Sequence, residues 1–222
     1  MNVKLIGFTP NPEKLPAMAA KLTHSKTKPE DLDKTSDEEL KAVLKHVLKL
    51  GHTSVIEHTY FTFAISDVSR SLTHQLVRHR IASYAQQSQR YVNLNEPNYV
   101  TPPTIAKNQS MKKAYDETMQ NIWHEYNKLL KLGIPAEDAR FVLPNATCTN
   151  IIVTMNARSL LNFFELRCCL HAQWEIRKLA NKMLKEVKKV APVIFKNAGP
   201  ACKSKGFCPE NKKNCPWYPK VK

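Results

Sequence analysis

A mixed α/β chain of the α+β kind, a single domain with a small sheet and several helices, is what three features of the sequence predict. Strand-like runs stand at the start of the chain and further along it, in VKLIGF, YFTFAI and TCTNIIVTMN. Between and after them, apolar residues recur at helical spacing. The 222 residues are 42% hydrophobic and 24% charged, enough to enclose a core and too apolar for wholesale disorder.

Val3 to Phe8 reads as the opening strand. SDEEL then sets Ser36 and Glu39 as a capping box, followed by Leu40, Val43, Leu44 and Val47 at helical spacing until Gly51 stops the turn. GHTSVIEH packs His52, Ser54, Glu57 and His58 at an element boundary before YFTFAI, which alternates as a strand. From Ser69, SRSLTHQLVRHR predicts a short helix, with Leu72, Leu76 and His79 on one face and Gln75 and Arg78 on the next. RIASYAQQSQRYVNLN is expected to be extended up to the breakers at Pro97, Pro102 and Pro103. A long amphipathic helix follows from about Ser110 to Leu132, striped by Met111, Tyr115, Ile122, Tyr126 and Leu129 and ended by Gly133. PAEDARFVL is a second short helix with Glu137 and Arg140 on one face, and TCTNIIVTMN a buried strand. The remainder, from NARSLL to KEV, is helical with a break near Cys169, and Arg158 and Asn162 share a face.

Composition excludes several functions. No apolar run is long enough to cross a bilayer, and the N-terminal sixteen residues lack a signal-peptide core, so the cytoplasm is the expected compartment. Five glycines form neither a dinucleotide fingerprint nor a Walker loop, so any phosphate must be held by side chains. The net charge is +15, and from Asn181 onward eleven lysines face only Glu186 and Glu210. That end is a solvated face or a nucleic-acid contact. Residues 1–200 are expected to form the functional domain and 201–222 a basic, cysteine-containing tail. Cys202, Cys208 and Cys215 are spaced without a C-x-x-C pair, which leaves a structural zinc site or three separate thiols open. A disulfide framework is not expected, and the site assignment contains no metal.

The chemistry gathers in RHRIASYAQQSQRY. Arg78, Arg80 and Arg90, with His79, Ser83, Gln86, Gln87 and Ser88, form a lysine-free segment whose guanidinium forks suit phosphate or paired carbonyls. An exposed RNA- or DNA-binding patch is the competing reading.

RHR, seven residues, then Ser88 and Arg90, resembles the signature of the flavin-dependent thymidylate synthases. GHTSVIEH, AEDARFVLP and NARSLLNFFELRCCLHAQWEIR are similar to the family's other motifs, so the likeness runs from Gly51 to Arg177. It implies reductive methylation of dUMP to dTMP in thymidine nucleotide biosynthesis, with 5,10-methylenetetrahydrofolate as carbon donor, FAD as hydride carrier and NADPH as reductant. It also implies a homotetramer whose sites draw on more than one subunit, with no membrane partner.

Residue by residue, the likeness places Gln75, Arg78, Gln86, Gln87, Ser88, Gln89, Arg90, Arg140 and Arg167 at dUMP. It places His52, Ser54, Glu57, Arg78, His79, Arg80, Asn156, Arg158 and Asn162 at FAD. Arg167 is the catalytic candidate, because a cation near the uracil ring favours its enolate-like form. Ser88 has no legible base beside it and reads as an orienting hydroxyl. Cys168 and Cys169 read as packing thiols. Ala85 stands where many members carry Asn, and Gln86 where many carry Glu.

Overall fold

A computed structural model describes residues 1–219. The three residues that end the expected tail, 220–222, lie outside the described residues. The strands are β1 (Asn2–Phe8), β2 (Tyr60–Ser69), β3 (Ser83–Gln86) and β4 (Cys148–Asn156), forming one sheet in the order β1-β2-β4-β3. The helices are α1 (Lys14–Leu22), α2 (Asp37–Lys49), α3 (Arg70–Leu76), α4 (Pro103–Ala106), α5 (Gln109–Lys131), α6 (Ala136–Ala139), α7 (Ala157–Arg167), α8 (Trp174–Val190) and α9 (Ala201–Ser204). The expected mixed α/β class with a small sheet is what the chain adopts.

Contacts divide the chain into two compact units. One comprises Met1–Asn2, Ile65–Arg78 and Tyr84–Ile152; the other comprises Val3–Ala64, His79–Ser83 and the chain from Val153 onward.

In the first unit, α5 lies over the loop that precedes it. Trp123 Nε1 donates to the Leu94 carbonyl at 2.9 Å, and Tyr99 Oη donates to Asp116 at 2.9 Å. The buried stripe of α5 is Met119, Trp123 and Tyr126, whereas Met111 is 59% exposed. Of the expected stripe, Tyr126 is buried and Tyr115, Ile122 and Leu129 are half-buried, so only its first residue lies off the packed face. Asn108 caps this helix through Met111 N–H at 3.0 Å, and Gly133, at φ +84°, ends it. There Gly133 and Ile134 N–H groups donate to the Leu130 and Leu129 carbonyls, the paired bonds of a Schellman turn.

β2 extends four residues beyond the predicted YFTFAI. Asp67 takes a left-handed φ of +56° there, and its N–H donates to Asn150 Oδ1 on β4. Ser69 then caps α3 by accepting from Leu72 N–H at 3.0 Å. The helix stops at Leu76, earlier than its periodicity predicts, and Tyr84 Oη donates to the orphaned Leu76 carbonyl at 2.9 Å. Arg78 and His79 therefore lie outside the helix and share no helical face with Gln75 or Leu72.

In the second unit, Ser36 caps α2 through Glu39 N–H. The capping box is only half formed, because the Glu39 carboxylate pairs instead with Lys21 at 2.7 Å. Gly51, at φ +80°, closes α2 with the same Schellman pair seen after α5. Phe61, Phe163, Phe164 and Phe195 fill the core edge to face, with centroids 5.4–6.0 Å apart along the chain of contacts. The break between α7 and α8 falls at Cys168–Gln173, where Gln173 caps α8, as the sequence predicts near Cys169. β4 is less buried than expected: its residues alternate, with Asn150 and Ile152 exposed.

Candidate functional site

The residues expected at the nucleotide, apart from Arg167, lie in the first unit. Beyond β3 the chain turns sharply, and Ser88 builds the turn: its Oγ accepts from Arg90 N–H at 3.2 Å and its carbonyl accepts from Val92 N–H at 3.1 Å. Gln87 is tied to β4 twice, through its N–H to the Asn150 carbonyl and through Asn150 Nδ2 to its Oε1, both at 2.9 Å. Gln86 Nε2 donates to the hydroxyls of Thr73 and Thr149 at 3.3 and 3.2 Å. One amide nitrogen thus spans both hydroxyls. Gln75 and Gln89 are half-buried, and Arg78 is exposed.

The turn aims Arg90 at Glu137, with Nε to Oε2 at 2.8 Å and both side chains about half exposed. Arg140, one turn after Glu137, donates from Nε to the Glu137 carbonyl at 2.9 Å. Glu137 thus steadies both arginines, one through its side chain and one through its backbone. A third guanidinium was missed by the sequence reasoning. Arg70, the first residue of α3, is lowered from its ordinary pKa by burial and then by the positive charge of Arg140. Two cations held near each other in partial burial disfavour one another and favour an anion between them. No motif announces Arg70; it follows a capping serine, and only the packing of α3 brings it to Arg140.

The second unit gathers most of the residues expected at the flavin. Arg158, at the start of α7, pairs with the Glu57 carboxylate from the turn that precedes β2. Asn162 lies one turn further along α7 and is exposed, as are His52, Ser54 and Arg80. Asn156 differs from these. It is 6% exposed, and its Oδ1 caps α7 by accepting from Ser159 N–H at 2.8 Å. Arg167, expected at the uracil ring, closes α7 in this unit and donates from Nε to His79 Nε2 at 3.0 Å. His79 also meets the Phe163 ring edge to face at 5.0 Å. Burial, then the Arg167 charge, lowers the His79 pKa to about 4. The imidazole is therefore neutral near pH 7, with the lone pair on Nε2 and the proton on Nδ1. Burial also lowers the Arg167 pKa.

None of the six cysteines is in a disulfide. Cys168 is 1% exposed and burial pushes its thiol up to about 12, as a packing thiol should be. Cys169 is not buried in the same way; it faces the tail. Among the described residues, no helix is long and apolar enough to cross a membrane.

Fold and side chains together define an α/β protein with a cluster of partly exposed guanidinium groups and no glycine-rich phosphate loop. A family model described as "Thymidylate synthase complementing protein" matches residues 4–193. A flavin-dependent thymidylate synthase of Clostridium tetani is 50% identical over 97% of this chain and 93% of its own length. That of Geobacter sulfurreducens is 49% identical over 97% and 94%, and that of Pyrococcus abyssi 44% identical over 95% and 90%. This chain belongs to the flavin-dependent thymidylate synthase family. The fold is also that of the UMP/dUMP methylase PolB from Streptomyces cacaoi, whose structure was solved with 5-Br dUMP. There the TM-score is 0.76 at 24% identity, covering 88% of this chain and 93% of the other.

Proposed function

We propose that this protein is a flavin-dependent thymidylate synthase that methylates dUMP to dTMP, working as a homotetramer in the cytoplasm. 5,10-Methylenetetrahydrofolate is the carbon donor and NADPH the reductant. The observation that carries this reading is the arginine group itself: RHR followed by Ser88 and Arg90, with Arg90 and Arg140 both bonded to Glu137 and the charge of Arg140 felt at Arg70. Residues 1–200 form the catalytic body and 201–222 a tail.

The residues in hand fit FAD. Its diphosphate is anionic, and Arg78, Arg80 and Arg158 are exposed cations with His52, Ser54 and Asn162 as neutral donors. Glu57 keeps the Arg158 guanidinium in one orientation, which lowers the entropy lost when a ligand is bound. Bound flavin supplies hydride transfer between NADPH and the pyrimidine.

The chain's own work is binding and charge placement. Arg90 and Arg140 take the dUMP phosphate, and Arg70, which feels the charge of Arg140, adds to the positive potential. Gln75, Gln86, Gln87 and Gln89 orient the sugar and base, and the Ser88 turn fixes their register. Arg167 turns its Nη fork to the uracil carbonyl edge, while Nε stays on His79. Placed there, the cation favours the electron-rich form of the ring in which C5 can attack the one-carbon unit. A neutral His79 accepts without adding a second positive charge beside Arg167.

The test is a dUMP-dependent assay for NADPH oxidation and dTMP formation with FAD and methylenetetrahydrofolate supplied. Formation of dTMP in step with NADPH loss is expected. Bound flavin without any dTMP would refute the assignment.

A further inference from the structure

A relay of amides crosses the sheet beside the nucleotide residues, and the proposed function leaves its middle member, Asn150, without a role. β4 lies between β2 and β3, and Asn150 on β4 reaches to both sides. On one side its Oδ1 accepts from the Asp67 N–H of β2 at 3.3 Å. On the other, just beyond β3, its Nδ2 donates to Gln87 Oε1 at 2.9 Å, and its backbone carbonyl accepts from Gln87 N–H at 2.9 Å. All three residues belong to the first unit, together with Ser88, Arg90 and Arg140.

The first bond sets the direction of the relay. A backbone N–H can only donate, whereas a side-chain amide offers an oxygen that accepts and a nitrogen that donates. Asp67, in the left-handed region at φ +56°, aims its N–H at Asn150. Oδ1 must face that N–H, so Nδ2 faces Gln87. Oε1 of Gln87 must face Nδ2 in turn, so the end left over is Nε2, a donor. Flipping either amide would set donor against donor and lose the bonds on both sides. The Gln87 N–H bond holds the root of the side chain against β4 as well. Among the described residues, nothing accepts from Gln87 Nε2.

Gln87 thus offers a ligand hydrogens instead of a lone pair. Uracil carries a carbonyl oxygen at ring carbon 4, which accepts, and cytosine carries an amino group there, which donates. A donor aimed at that position bonds to the first base and opposes the second.

We propose that Asn150 sets the base preference of the nucleotide site by turning the Gln87 amide so that Nε2 donates to the C4 carbonyl of uracil. The inference rests on the placement of Gln87 at dUMP under the proposed function. Asn150 touches no ligand; it is a positioning residue that acts through Gln87. Asp67, Gln87 and Asn150 are all exposed in the free chain, so water competes for each bond. The preference carried by the relay is therefore that of one ordinary hydrogen bond, about 2- to 10-fold.

Calorimetric titration of the full-length, FAD-loaded protein with dUMP and with dCMP tests this, read as the ratio of the dCMP Kd to the dUMP Kd. Wild type should bind dUMP the tighter. Asn150→Ala frees the Gln87 amide to flip and should lower the ratio about 2- to 10-fold. Asn150→Asp should lower it further, because the carboxylate still accepts from Asp67 N–H yet cannot donate, so Gln87 turns Nε2 to it and presents Oε1. A residue that only held the strands together would weaken both nucleotides alike and leave the ratio unmoved. Gln87→Ala, a change at an exposed position that does not depend on the folding of the Asn150 variants, should lower the ratio too. Adding Asn150→Ala to it should change the ratio no further. A ratio within twofold of wild type in Asn150→Asp or in Gln87→Ala overturns the proposal and leaves the proposed function standing, as does a wild type that binds both nucleotides equally. A wild type that binds neither nucleotide overturns the proposed function, and this inference with it.

Discussion

Replacing Arg90 with alanine separates a ligand-binding arginine from a structural one. In the protein alone, Arg90 makes an ion pair to Glu137 at 2.8 Å in which both partners are about half exposed. Solvent screening holds such a pair to about 1 kcal/mol or less. For a chain of this length that is a fall in Tm of about 2–4 °C at most. Against a nucleotide phosphate the same guanidinium makes charge-assisted hydrogen bonds, whose loss costs about 1.5–3 kcal/mol. That corresponds to roughly 10- to 150-fold weaker dUMP binding. Calorimetric titration with dUMP, alongside thermal unfolding, reads both quantities. Glu137→Gln completes the comparison, because it removes the carboxylate and leaves the guanidinium in place. Its dUMP affinity should stay well above that of Arg90→Ala. A Kd for Arg90→Ala within threefold of wild type, or a Tm lowered by more than about 10 °C, would refute the assignment of Arg90 to the phosphate.

Arg167→Lys should fold normally yet lose most of its turnover, since a point charge cannot present a fork to two carbonyls while holding His79; steady-state rates with a melting curve decide it. His79 has a folded pKa of about 4, below the ordinary histidine value, so the unfolded chain takes up its proton first as the pH falls. The stability held by neutral His79 is therefore complete above about pH 6.5 and is lost between there and about pH 4. Urea midpoints measured across that range should fall less steeply for His79→Gln than for wild type. Asn156→Ala removes the cap of α7 and should cost about 1 kcal/mol or more in denaturant unfolding, whereas Asn156→Asp should recover much of it.

The local parts of this fold were legible because their signals act over a few residues. Ser36 and Ser69 announce helix starts, and Gly51 and Gly133 helix ends, through hydrogen bonds that span three to five positions. Where reading failed, a distant partner had intervened. α3 stops at Leu76 because Tyr84 reaches its last carbonyl, and half of the α2 capping box is missing because Lys21 takes Glu39.

By itself, then, the chain's sequence determined the α/β class, the long helices α2 and α5 and the family, each written in short motifs and periodicities. Tertiary structure alone decided which charges and thiols meet. Arg90 finds Glu137 across 47 residues, Arg167 finds His79 across 88, and Arg70 comes to Arg140. Cys169 comes to line one cavity with Cys202, Cys208 and Cys215. Such meetings depend on which apolar faces pack against which, and burial of apolar surface is non-directional, so no spacing along the chain encodes them.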